Sequence, residues 1–133
     1  VMTLAGMMGC PSEAGLLARW MRESYPSRPA AIFFSALLES DPLPGLRDGV
    51  SRFPAYAQGH LILSRILLAT DPGSALIEAE KGILSLEGNA TGFSMVLETA
   101  RAFKAAGQLE RLDPVLRKAM NAQGLERLRR LVD

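Results

Sequence analysis

An all-α fold built from antiparallel helix hairpins is what this sequence predicts, and three observations carry that expectation. Valine, isoleucine and threonine together number only 14 of 133 residues, whereas leucine, alanine, arginine and glutamate are plentiful, which favours helix over strand. Apolar residues recur at helical spacing, as in Leu61, Leu63, Ile66, Leu67 and Ala69, or Met95, Val96, Thr99, Ala100 and Phe103. Turns rich in Pro and Gly interrupt these runs along the whole chain.

The elements follow from that punctuation. The apolar start, VMTLAGMMGC, predicts a short helix ending near Gly9, with a turn at Gly9-Cys10-Pro11-Ser12. A helix over about 12–25 comes next, with Ser12 placed to accept an orphan backbone amide, and Tyr25-Pro26 ends it. Helices over about 29–40 and 44–53 flank the turn Asp41-Pro42-Leu43-Pro44 and close at Phe53-Pro54. The clearest pair, over 55–69 and 73–86, turns at Asp71-Pro72-Gly73-Ser74, with Ser74 as the expected cap, and ends at Leu86-Glu87-Gly88. Helices over 90–106 and 109–120 flank Ala106-Gly107-Gln108, and Pro114 is expected in the first turn of the second. A last helix spans about 124–132. The aromatic-Pro and Leu-Glu-Gly endings lie 28 and 33 residues apart. They divide a single domain, 1–133, into approximate copies 1–26, 27–54, 55–88 and 89–121 and a capping helix over 122–133.

Composition excludes several function classes. With 15 basic and 14 acidic residues, the formal charge of +1 lacks the excess that a domain relying on phosphate neutralisation carries. No nucleic-acid partner is expected. The lone Cys10 cannot form an internal disulfide and is expected to be a buried thiol. Residues 1–10 are too short an apolar run to span a bilayer, so no membrane insertion is expected, and a cytoplasmic location is expected with a periplasmic or membrane-associated one as the alternative. A first residue other than Met reads as a piece of a longer protein or a processed form.

The repeated hairpin resembles the tetratricopeptide repeat family, whose period is ~34 residues. In the copy HLILSRILLATDPGSALIEAEKGILSLEGN, Ser64 and Leu67 match the small and large packing places of the first helix. Ala75, Ala79 and Gly82 match the small places of the second. Ala100, Phe103, Gly107, Leu112, Leu116 and Ala119 correspond in the last copy. Departures are His60 and Val96 where the family has an aromatic residue, Gly88 for its closing proline, and a second copy short around Pro42 to Pro54. The resemblance implies a right-handed superhelical array of about eight helices plus the cap. Another all-α hairpin array remains the alternative.

The resemblance also implies a concave groove lined by the first helices. Carried over by position, it holds Arg28, Ala31, Ser35 and Leu38, then Gln58, Leu61, Arg65 and Leu68, then Ser94, Leu97, Arg101 and Lys104. Arg65 and Arg101 recur at one place in neighbouring copies, a spacing suited to an acidic peptide or a free carboxylate. The alternative is that both are exposed residues paired with nearby acids.

No catalytic set emerges. His60 is the one histidine and reads as a satisfied residue at a helix start. No phosphate-cradling loop occurs, and Glu78, Glu98 and Glu126 read as solvated pairs with Lys81, Arg101 and Arg130. Trp20 and Tyr25 are expected in buried packing, with an exposed partner patch as the alternative. The expected function is a non-catalytic scaffold or adaptor that binds a peptide or protein partner, without metal or cofactor. The alternatives are self-association into a homodimer and an auxiliary domain of a larger enzyme or secretion or assembly protein.

Overall fold

The structure, a computed structural model, describes residues 11–25, 27–86 and 90–133. Among these there are eight α-helices and no strand: α1 (Pro11–Ser24), α2 (Pro29–Leu37), α3 (Leu43–Arg52), α4 (Ala57–Leu67), α5 (Pro72–Ser85), α6 (Ala90–Ala105), α7 (Leu109–Ala119) and α8 (Ala122–Val132). The all-α expectation holds, with boundaries close to those that the turn residues predict. The expectations placed on Gly9, Cys10, the Ser12 side chain, Gly88 and Asn89 fall outside the described residues and side chains. No described helix is long and apolar enough to cross a membrane.

The chain divides into two compact units, Val1–Pro54 and Ala55–Asp133, and the division falls at the sequence-derived border between copies two and three. In the first unit α2 touches both α1 and α3. Its apolar core is Ala18, Ala31, Ile32, Phe33, Ala36 and Leu46. The contact between α2 and α3 is close because Gly45 and Gly49 face it. A Cβ on Gly45 would lie 2.8 Å from the Ala36 Cβ, and one on Gly49 would lie 2.8 Å from the Phe33 ring. An ion pair between Arg22 and Glu39 ties α1 to the segment after α2.

The second unit holds two hairpins, α4–α5 and α6–α7. First helix touches first helix (α4 on α6), second touches second (α5 on α7), and α8 lies on α6 and α7. The small residues sit where hairpin packing needs them: Ser64, Ala75, Ala79 and Ala100 are each 0% exposed. Phe103 and Leu112, also 0% exposed, fill the space between helices. The turn from α6 to α7 closes by two amides, Gly107 N donating to the Lys104 carbonyl at 3.0 Å and Gln108 N to the Phe103 carbonyl at 2.8 Å. That pattern needs a left-handed residue, supplied by Gly107 at φ 72°.

Two local expectations are corrected. Asp71, not Ser74, caps α5, because Pro72 is already the first helical residue and the cap therefore falls three residues earlier. The Asp71 carboxylate accepts from Ser74 N at 3.2 Å, and the Ser74 hydroxyl donates back to it at 2.6 Å. Asp71→Ala is expected to cost about 1 kcal/mol, read as a lower midpoint in urea denaturation. Pro114 lies at the sixth residue of α7, beyond the first turn, since the helix already starts at Leu109. It removes one backbone hydrogen bond, to the Glu110 carbonyl, and the exposed position lets water serve that oxygen.

Candidate functional site

The positions implied for a groove fall in both units. In the first, Arg28 precedes α2 with its guanidinium 5.6 Å from the centre of the Tyr25 ring. Ser35 is 1% exposed and donates its hydroxyl to the Ile32 carbonyl at 2.8 Å, Ala31 is buried beside it, and Leu38 is half-buried. The outward side of α2 is Ala30, Phe34 and Leu37. Ser35 and Ala31 are therefore core residues. The helix PAAIFFSAL is apolar or small nearly all round, so its sequence period does not single out one face.

In the second unit the first helices place most of the implied residues at the surface. Gln58 is exposed and accepts from the Tyr56 hydroxyl at 2.6 Å. Burial around Tyr56 pushes its phenol pKa above 10.0. Leu61 is 1% exposed, pressed against the position where Gly82 has no side chain, and so belongs to the hairpin core. Leu68 and Leu97 are half-buried. The Arg65 guanidinium reaches across from α4 to Glu98 on α6 at 3.6 Å, while its buried Nε has no hydrogen-bond partner among the described residues. This pair is exposed and contributes at most about 1 kcal/mol.

Arg101 and Lys104 meet the carbonyl end of α8. Arg101 Nη2 donates to the Leu131 carbonyl at 3.3 Å, Lys104 Nζ to the Val132 carbonyl at 3.1 Å, and Lys104 also lies 3.6 Å from Asp133. Cations at a helix C-terminus satisfy orphan carbonyls and oppose the negative end of the helix dipole. Two of the implied basic groups thus bind oxygen acceptors of the chain's own last helix. The rest of α8 is held by buried Leu128, by Arg127 at 4.6 Å over the Phe93 ring, and by Arg129 at 2.9 Å from Asp113.

Four other residues differ from their sequence reading. Glu78 is mostly buried, with one oxygen 2.7 Å from His60 Nδ1 and the other 3.7 Å from Lys81, so it braces α4 against α5. Glu98 serves Arg65 on the neighbouring helix, at the spacing that α4 and α6 in contact create. Trp20 and Tyr25 are 55% and 41% exposed, against the expected buried packing. Only the i, i+4 spacing of Leu16 and Trp20 on a helix with Ala18 facing inward could have signalled this. Among the described residues no group of three His, Cys, Asp or Glu side chains could hold a metal ion.

In the second unit the two hairpins meet first helix to first helix and second to second, and one ion pair, Arg65 with Glu98, bridges α4 and α6. Comparison of the chain with protein-family models, with curated proteins and with solved structures finds no match.

Proposed function

We propose that the chain is a non-catalytic protein-protein interaction module, a tetratricopeptide-like right-handed array that receives a peptide or protein partner on the outer face of its first helices. The observation that supports this best is the like-to-like contact of the two hairpins in the second unit. Units that bury their apolar faces on one another in series leave a continuous outer surface, which is the surface such arrays use for recognition. On that surface stand Gln58, Arg65, Glu98, Arg101 and Lys104. The way Arg101 and Lys104 already hold carbonyl and carboxylate oxygens favours a partner that presents an acidic segment or a helix C-terminus.

Affinity capture from the source cell tests the reading. The Arg65→Glu, Arg101→Glu double variant is expected to lose the partner at least about tenfold, the effect of removing two charge-assisted contacts. Circular dichroism on the same sample checks that the helices persist. An identical captured set with the double variant would remove this face from consideration.

A further inference from the structure

We propose that the first unit carries a self-association face, through which the outward side of α1 pairs antiparallel with α1 of a second copy of this chain. The inference rests on unit 1 alone and is independent of the α4–α6 face. Ala18, at 0% exposure, marks the inward side of α1. Leu16, Arg19, Trp20 and Glu23, spaced i, i+3, i+4 and i+7, form the side turned away from it, and all are exposed. Leu16 is 64% and Trp20 55% exposed. Tyr25, 41% exposed, prolongs the strip past the helix end, its ring edge-on to Trp20 at 5.7 Å. A leucine and two aromatic rings gathered in one strip have the composition of an interface centre, unlike apolar residues scattered singly over a surface.

Charge decides which occupant fits. Arg19 and Glu23 lie four residues apart, yet neither has an ion-pair partner among the described residues, whereas Arg22 on the adjoining side is committed to Glu39. A two-fold contact requires a surface that complements itself, with an anion wherever the partner brings a cation. With the two-fold axis at Met21, Arg19 of each copy faces Glu23 of the other. In the same register the two Trp20 rings come level to within about 3 Å along the helices, from a rise of about 1.5 Å per residue. Leu16 then comes within one residue of the level of Tyr25 of the second copy. One register satisfies both the charges and the apolar strip. An acidic peptide or an anionic membrane would instead meet Glu23 with like charge.

Trp20 is the sole tryptophan, so its fluorescence reports on this face directly. Light scattering of the full chain from about 1 to 500 µM is expected to show a monomer-dimer equilibrium, a range suited to weak interfaces. The tryptophan emission should move to the blue as dimer forms. Trp20→Glu should weaken association at least tenfold, and Arg19→Glu or Glu23→Arg alone should weaken it several-fold. The double swap Arg19→Glu, Glu23→Arg should restore it, because each copy again offers both signs. Ile77→Glu, at a 57% exposed position in the second unit, should leave association unchanged. The inference is overturned by a chain that stays monomeric over the whole range, by a dimer indifferent to Trp20→Glu, or by a double swap that fails to recover. A blue shift that appears only with anionic vesicles, without dimer, would overturn it in favour of a membrane surface.

Discussion

Phe103→Ala is expected to lower the free energy of unfolding by about 3–5 kcal/mol, a large share of the about 5–15 kcal/mol that holds a domain together. Phe103 is 0% exposed, and it lies on α6, which touches α4, α7 and α8. Its backbone carbonyl also anchors the turn into α7. Truncation removes the transfer free energy of a buried ring and leaves a cavity that several helices would have to move to fill. Urea denaturation followed by circular dichroism measures the loss. A change below about 1 kcal/mol would mean that the ring space collapses without cost, which close-packed interiors do not allow.

Ala79→Leu is expected to cost about 1–3 kcal/mol by overpacking. The α4–α5 hairpin closes on a line of small residues, Ala75 and Ala79 at 0% exposure with Gly82 one turn further on. How little room remains is visible at Gly82, where an added Cβ would lie 2.7 Å from Leu61 and 3.0 Å from the Ala57 carbonyl oxygen. Three further heavy atoms at Ala79 force the helices apart or the leucine out of a favoured rotamer. An unchanged denaturation midpoint would mean that this line is not the contact between α4 and α5.

Helix positions were legible in the sequence because Pro, Gly and Asp fix turns through local chemistry, as Asp71-Pro72 and Gly107 demonstrate. The small-residue line was legible because Ser64, Ala75, Ala79 and Gly82 recur at the spacing that close helix contact needs, and each proves buried. Facing was harder. Register alone places Ser35 and Leu61 on a groove, yet both are 1% exposed, because the neighbouring helices cover more of α2 and α4 than one stripe. The glycine pair Gly45 and Gly49 carries no local signal, since its meaning depends on Phe33 and Ala36 arriving from another helix. The His60–Glu78 contact and the reach of Arg65 to Glu98 are tertiary for the same reason. No local propensity encodes which acid a base will meet across a hairpin.

The last helix is fastened by many small ties at once. Leu128 is its one fully sheltered side chain, while Arg127, Arg129, Arg101 and Lys104 each add a contact open to water. Such redundancy means that losing any single cation loosens the end of the chain only slightly, and the burden passes to the remaining ties. Graceful failure on the wet side, and abrupt failure at Leu128 alone, is how a terminal helix so attached behaves.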